Sequence, residues 1–198
     1  TWWTQLGTAR SSASVPLAGE RLADLRQQCR ELMLTNQYAI NGIENRISYL
    51  VGPGHSYRAT VRRGADASKS LASEVQQVID RFLEENQWHD RQQEIVRRLD
   101  RDGEVFLRFF TTIDGATRVR FVEPDDVATP VKQATNPAAS FGILTQAGDV
   151  ETVLGYYVGD TLVPAVDIQH RRANVDRNVK RGLPLYAPVR ANLRRAEK

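Results

Sequence analysis

The stretch that decides the fold of this chain is Asp102-Gly103-Glu104-Val105-Phe106-Leu107-Arg108-Phe109-Phe110, because the spacing of apolar residues changes there. Before Glu104 the apolar residues recur every three or four positions, and from Glu104 onward they recur every second position. The first spacing is typical of helices and the second of strands. Asp114-Gly115, the usual dipeptide of a two-residue β-hairpin turn, precedes a return of the alternation at Val119. The pattern predicts that helices end near residue 103 and that an antiparallel hairpin follows.

The residues before this stretch predict four helices, at 17–33, 38–50, 68–86 and 90–100. Each helix shows an apolar stripe at helical spacing, and Gly52-Pro53-Gly54 ends the second one. Between the second and third helices, alternation over residues 57–63 predicts a strand.

The residues after the hairpin predict a loop and further short strands. Residues 127–140 are rich in Thr, Pro, Asn, Ala and Ser, which is typical of a loop. Short apolar runs at 141–144, 153–158 and 162–166 predict strands, and a helical pattern starts at about Pro188. Helices, then a mainly antiparallel β block, then a C-terminal helix define an α+β class.

The bulk composition is that of a soluble, ordered protein. The 198 residues are 41% hydrophobic and 26% charged, which suits one large domain or two small ones with a core. A single cysteine, Cys29, excludes an intrachain disulfide and fits a reducing compartment. No apolar stretch approaches the roughly 20 residues that a membrane helix needs. The start, Thr1-Trp2-Trp3, shows no initiator methionine and no signal peptide, so we expect a trimmed edge.

The positive charge is concentrated at one end of the chain. Residues 169–198 carry nine Lys or Arg against two acids, a balance of +7 within a total of +3, so residues 1–168 sum to −4. A basic end on a near-neutral body is typical of a protein that meets a polyanion. The helical pattern has not finished at Lys198, so we expect the chain to be a piece of something larger.

Enzyme motifs are absent from the sequence. It contains neither the G-x-x-x-x-G-K-[ST] of a P-loop nor the G-x-S-x-G of a nucleophile elbow. Two carboxylate clusters offer ligands for Mg²⁺ in phosphodiester cleavage, but they stand at a helix end and a strand exit, where Asp commonly bonds the backbone. The clusters are Asp100, Asp102 and Glu104, and Glu123, Asp125 and Asp126. We predict no catalytic residue, no cofactor and no metal.

Nine short motifs occur in a fixed order over most of residues 25–193. They are LRQQCREL (25–32), NQYA (36–39), LVGPG (50–54), DGEVFLR (102–108), VEPD (122–125), LGYY (154–157), VPAVDIQH (163–170), RGLP (181–184) and PV (188–189). In this order and spacing they resemble the lambda-like portal proteins of tailed bacteriophages. Residues 142–148 match the family's usual glycine, acidic, aspartate, glycine turn only loosely.

The resemblance implies a structural subunit of a dodecameric ring at one vertex of the capsid in the virion, assembled in the host bacterial cytoplasm. DNA enters through such a ring during packaging and leaves through it at infection, and the ring joins the head to the tail. The implied partners are further copies of the chain, the major capsid protein, the terminase motor, a head–tail adaptor and double-stranded DNA. No membrane and no enzymatic activity are implied.

The resemblance also implies a division of the chain. Residues 1–16 would form an N-terminal arm, and residues 17–187 the portal wing domain. Within the wing, residues 17–101 are expected to be helical and residues 104–168 rich in β structure. Residues 188–198 would begin the first stem helix, and the rest of the stem, the clip and the crown would lie beyond this chain.

Five basic residues near the C-terminal end form a candidate basic patch. They are Arg171, Arg172, Arg177, Lys180 and Arg181. In a ring that DNA crosses, such a patch faces either the DNA or carboxylates of the next subunit, for which those of residues 90–104 are candidates. A passage should not hold its DNA, and neutralising many phosphates binds a duplex tightly, so we favour pairing between subunits.

Three other functions stay open at this point. The helix pair over residues 17–51 is compatible with a helix-turn-helix DNA-binding protein. The two carboxylate clusters are compatible with a Mg²⁺-dependent nuclease. A head-completion adaptor, another ring-forming protein of the same particle, is the third alternative.

Overall fold

The computed structural model describes residues 19–61 and 69–196, and its helices precede its strands except for one helix at the end. The helices are α1 (Gly19–Thr35), α2 (Gln37–Leu50), α3 (Lys69–Glu85), α4 (Trp88–Asp102) and α5 (Arg190–Ala196). The strands are β1 (Glu104–Thr111), β2 (Thr117–Val122), β3 (Ala139–Ser140), β4 (Ile143–Gln146), β5 (Asp149–Val158), β6 (Thr161–Pro164) and β7 (Ile168–Arg172). Short 3-10 turns occupy Val131–Gln133 and Ala165–Asp167. The predicted α+β class is confirmed.

Among the described residues, all strand pairs are antiparallel and form two sheets. The first sheet has the order β2-β1-β7 and the second has the order β3-β4-β5-β6. In the first sheet, Arg108 lies opposite Arg120 of β2 and Ile168 of β7, and Glu104 lies opposite Arg172. The central strand of this sheet, β1, therefore begins within the DGEVFLRFF stretch, where the spacing of the apolar residues changes.

The first half of β1 is covered on both faces of the sheet, which explains why it is so apolar. On one face Val105, Leu107 and Val119 pack against side chains of α3 and α4, among them Phe82 and Leu99. On the other face Phe106 and Ile168 pack against the second sheet. Their partners there are Ile143, Tyr156 and Val163. The core thus lies in two layers, one on each side of β1.

The predicted strand at 57–63 is wrong over residues 57–61, which form neither strand nor helix. The backbone there bonds a side chain instead of another strand. Gln76 of α3 accepts from the N–H of Ala59 at 2.7 Å and donates to the carbonyl of Tyr57 at 3.1 Å. A glutamine side chain thus satisfies the groups that a partner strand would otherwise take. Residues 62–63 lie outside the described part of the chain, as does the predicted arm at 1–16.

Besides the two-residue β3, which lies in the predicted loop at 127–140, strand β7 is an element that the periodicity did not predict. Its sequence, Ile168 to Arg172, is polar and basic, and only Ile168 has an apolar side chain. It pairs with the buried strand β1, and His170 stacks on Phe106 with ring centroids 4.0 Å apart. The tertiary pairing therefore overrides a weak local preference.

The C-terminal segment returns to the N-terminal helices. Asn36 lies between α1 and α2, where its side chain accepts from the N–H of Ala39 at 2.9 Å and caps α2. Its amide group also donates to the carbonyl of Leu193 in α5 at 3.0 Å. The Tyr186 hydroxyl donates to the carbonyl of Ala39 at 2.8 Å. These bonds hold the residues before and within α5 against α2.

None of the helices in residues 19–61 and 69–196 combines the length and apolar character that crossing a membrane requires.

Candidate functional site

The centre of the candidate site is the carboxylate of Glu104, the first residue of β1, which has no solvent exposure. One oxygen accepts from Arg26 of α1 at 3.0 Å and from Arg181 at 2.7 Å. The other accepts from His170 of β7 at 3.0 Å and from the backbone N–H of Gly182 at 3.3 Å. Four donors from three parts of the chain therefore meet on one buried carboxylate.

The surroundings of Glu104 keep it ionised. Burial alone would raise its pKa, but the hydrogen bond from His170 and the positive charge of Arg181 outweigh burial and hold the pKa below its ordinary value. Burial lowers the pKa of His170, although its bond to Glu104 acts in the opposite direction. At neutral pH the pair therefore consists of a carboxylate and a neutral imidazole.

A second layer of ion pairs surrounds this centre and involves both predicted carboxylate clusters. Arg26 also donates to Asp125 at 2.6 Å. Arg30, one helical turn later in α1, donates to Asp102 at 2.7 Å and to Asp125 at 2.8 Å. Because residues four apart share one face of a helix, α1 presents both guanidinium groups to the two clusters together. We refer to these residues with Glu104, His170 and Arg181 as the Glu104 network.

The remaining predicted carboxylates have different surroundings. Asp100 is buried and bonds Arg46 of α2 at 2.6 Å and 3.2 Å. Glu123 accepts from Arg98 of α4 at 2.6 Å. Asp126 is exposed and, within the described residues, takes part in no ion pair. Five of the six predicted carboxylates thus bind arginine side chains.

These contacts decide between two roles of the carboxylate clusters, metal binding and ion pairing with arginines. The clusters do converge in space, but arginines stand between them and neutralise them. Within residues 19–61 and 69–196, no three His, Cys, Asp or Glu side chains come together in a way that could hold a metal ion. Carboxylates saturated with donors bind elements of the chain to one another, because they keep no free lone pairs for a ligand.

Two glycines allow the segment around Arg181 to approach β1. Gly103 has a φ of 83°, in the left-handed region that favours glycine, and a Cβ there would collide with the backbone of Leu183 and Pro184. A Cβ on Gly182 would collide with the carbonyl oxygen of Gly103. The two backbones therefore cross in direct contact, which brings Arg181 and the Gly182 N–H onto Glu104.

The predicted basic patch divides into inner and outer residues. Arg181 is 7% exposed, and besides Glu104 it donates to the carbonyls of Val127, Phe141 and Pro124. Lys180 is half-buried and donates to the carbonyls of Ala138 at 3.0 Å and Ile143 at 3.2 Å; burial lowers its pKa.

The other three basic residues lie nearer the surface. Arg172 is half-buried and donates to the carbonyl of Val179. Arg171 and Arg177 are exposed, and Arg177 lies 3.8 Å from Glu151. Of the five basic residues, only these last two are exposed, so their guanidinium groups are the ones that can reach another molecule.

The helix-turn-helix interpretation of α1 and α2 does not match the geometry. A single residue, Asn36, separates the two helices, whereas the DNA-binding motif has a turn of three or four residues. Two charged residues of α2 are also engaged within the chain. Glu44 accepts from Arg97 at 3.0 Å, and Arg46 bonds Asp100.

Cys29 is a core thiol. It has no exposure, and burial raises its pKa to about 11. At neutral pH it is therefore protonated and shielded from solvent, which matches its place on the apolar side of α1.

Sequence reasoning took His170 of this site for an ordinary surface or capping residue, and it also missed Arg26 and Arg30. The two arginines lie beside the apolar stripe of α1, four residues apart, and this position is typical of ordinary surface arginines. The signal that could have found them is their spacing, because two arginines four residues apart share one helical face and can bind carboxylates that are close in sequence, such as Asp102 and Glu104.

The fold and its site define a structural α+β subunit whose buried charges bind its own elements together. The chain belongs to the lambda family of phage portal proteins, whose family model matches residues 4–198. The resemblance found in the nine motifs is therefore confirmed, and the protein is a structural component of a phage portal. No curated protein matches the chain significantly.

Proposed function

We propose that this chain is the wing part of a subunit in a portal ring at the capsid vertex, through which DNA is packaged and ejected and to which the tail connects. The single observation that carries the proposal is the family match over residues 4–198. The ring would be a dodecamer of copies of the chain, in contact with the capsid protein, the terminase motor and a head–tail adaptor. No enzymatic activity is proposed.

The Glu104 network supports this role physically. A wall that lines a passage must keep its shape while DNA is forced through it. The network joins α1, the start of β1, β7 and the residues around Arg181 through buried ionic hydrogen bonds. Bonds of this kind are short, directional and stronger than neutral ones, so they resist relative movement of the elements.

The same proposal assigns the parts of the chain. Residues 17–187 form the wing and residues 188–198 begin the first stem helix. Pro188 precedes α5, which begins at Arg190, and proline is well tolerated where a helix starts.

Of the basic patch, Arg171 and Arg177 are the residues we propose to meet a neighbouring subunit or DNA, since Arg181 and Lys180 face inward. Raising the salt concentration separates the two roles. Rings that dissociate as salt rises would favour pairing between subunits, and intact rings with weaker DNA binding would favour contact with DNA.

Negative-stain electron microscopy of the purified protein tests the proposed function. We expect annular particles with a central hole. A protein that stays monomeric at every concentration, together with virions that lack an annular form of it, would contradict the proposal.

A further inference from the structure

Three arginines on one face of the first sheet make a basic surface, which we call the strand patch: Arg108 of β1 and Arg118 and Arg120 of β2. The register places Arg108 directly opposite Arg120, and Arg118 opposite Phe110. Arg118 and Arg120 are exposed and Arg108 is half-buried, with its guanidinium 4.7 Å from the centre of the Phe110 ring.

The strand patch has no carboxylate partner within the described residues. Arg120 donates only to the backbone carbonyl of Val119, and Arg118 makes no side-chain hydrogen bond or ion pair there. Like charges directly opposite each other on neighbouring strands destabilise a sheet. Since most arginines of the core region are paired, an unpaired cluster on adjacent strands indicates a negative surface on another molecule.

Helix α3 presents the matching surface. Its solvent-facing side carries three acids, Glu74, Asp80 and Glu84, and none of them pairs with Lys or Arg among the described residues. Asp80 and Glu84 are four residues apart, so they lie about 6 Å apart on one side of the helix. Arg118 and Arg120 are two residues apart on a strand, a separation of about 6.5 Å.

Apolar side chains accompany the strand patch. Phe110 is 41% exposed beside it, and Ile113 at the tip of the same hairpin is fully exposed. Exposed apolar groups next to charged groups are typical of a surface that another protein covers.

The two surfaces lie on opposite sides of the same sheet. Phe82 of α3 packs on the face that carries Leu107 and Val119, whereas Arg108 and Arg120 belong to the other face because neighbouring residues of a strand alternate. One copy can therefore bind a second copy with its strand patch while its own α3 binds a third. This head-to-tail arrangement is the heterologous interface that a closed ring requires.

We propose that the strand patch of one subunit binds the solvent-facing side of α3 in the next copy of this chain. The inference rests on the proposed ring and names the two faces that close it. A second copy explains the acidic surface and also covers the apolar side chains beside the strand patch, whereas double-stranded DNA would account for the arginines alone.

Complementary charge reversal tests the pairing. One variant carries Arg118→Glu and Arg120→Glu, and the other carries Asp80→Arg and Glu84→Arg. Each variant alone opposes like charges at every interface, so we expect the concentration for half-assembly to rise at least about tenfold. An equimolar mixture restores attraction at every interface when the variants alternate, so rings should return to near wild-type yield.

A matched control reverses exposed charges elsewhere, with Lys132→Glu and Asp160→Arg, and we expect wild-type assembly from it. Circular dichroism of each variant checks the fold, which exposed substitutions should leave intact. Ring yields are measured by analytical ultracentrifugation and negative-stain microscopy.

The outcomes separate this inference from the proposed function. Rings that form normally in both variants, or a mixture that does not recover, would overturn the inference and leave the portal ring standing. Intact rings with weakened DNA binding in the Arg118→Glu, Arg120→Glu variant would also overturn it, because the patch would then face DNA. Wild-type protein that forms no ring at all would overturn the proposed function and the inference together.

Discussion

At the scale of single residues, Glu104 has the most demanding environment in the described chain. Its carboxylate has no contact with water and is surrounded by Arg26, Arg181 and His170. A buried charge of this kind is tolerated only while its partners neutralise it, and removing one member leaves the others buried and uncompensated. The residue therefore links α1 to the sheet and to the segment around Arg181.

Replacing Glu104 with Gln should lower the free energy of unfolding by about 3–5 kcal/mol, because two buried guanidinium groups lose their counter-charge. Urea denaturation followed by circular dichroism measures the change. The matched control is Glu44→Gln, which removes an exposed pair with Arg97 and should cost less than about 1 kcal/mol. Equal effects of the two substitutions would show that the buried ion pairs of Glu104 stabilise the protein no more than the exposed pair of Glu44 does.

At the scale of elements, α2 is held at its start by one side chain with two roles. Asn36 is buried, caps the first turn of α2 through its oxygen and bonds α5 through its nitrogen. The contact joins a helix near the start of the chain to one near its end. The position of α5 therefore depends on the capping residue of a distant helix.

Two substitutions of Asn36 separate these roles. Asn36→Ala loses both bonds, so we expect a loss of about 2 kcal/mol in unfolding free energy, roughly half from the cap and half from the bond to Leu193. Asn36→Ser keeps a capping oxygen and should cost about half as much. Hydrogen exchange should quicken in α5 for both variants but in the first turn of α2 only for Ala. A serine variant as unstable as the alanine variant would contradict this division.

Helix α3 shows how an element can be predicted correctly while its environment is not. The periodic pattern identified the helix within a residue at each end, and Phe82 does pack in the core. Val75 and Val78, on the same apolar stripe, remain exposed. Periodicity reports that a stripe is apolar, and it does not report whether the same chain or another molecule covers it.

At the scale of the whole molecule, folding redistributes the charge that the sequence concentrates at one end. Arg181 belongs to the basic C-terminal stretch, yet it neutralises Glu104 at the centre of the protein. The surface is therefore less basic at this end than the sequence suggests. Exposed cations remain at Arg171, Arg177 and the strand patch.

The stability of the whole molecule should depend on pH in two stages. The pKa of His170 in the folded protein lies below its ordinary 6.5, because burial and the charges of Arg181 and Arg172 disfavour the protonated ring and outweigh the bond to Glu104. The unfolded chain therefore takes up the proton first, and stability falls as the pH drops below about 6.5. A second loss should begin near pH 4.5, because the pKa of Glu104 is held below that value in the folded state.

Urea unfolding between pH 4 and 8 measures both stages. In His170→Gln the first fall should disappear while the second remains, because glutamine does not titrate and Glu104 still does. Parallel curves for the wild type and this variant would contradict the assignment of the first stage to His170.

The sequence by itself determined the order of the elements and the family. The change of apolar period at Glu104 and the Asp114-Gly115 turn located β1 and β2, because spacing along the chain reports local backbone geometry directly. The strand predicted at 57–63 and the unpredicted β7 show the limit of predicting strands from the sequence. Whether each segment forms a strand depends on whether a partner strand distant in sequence lies beside it.

Only the tertiary structure decided what the charges do. The carboxylates at 100–104 and 123–126 were recognisable as clusters, but several of their partners, such as Arg26 and Arg30, lie far away in sequence. An ionisable side chain acts as a metal ligand, a surface charge or a buried cross-link according to what surrounds it within a few ångströms. That neighbourhood exists only after the chain has folded.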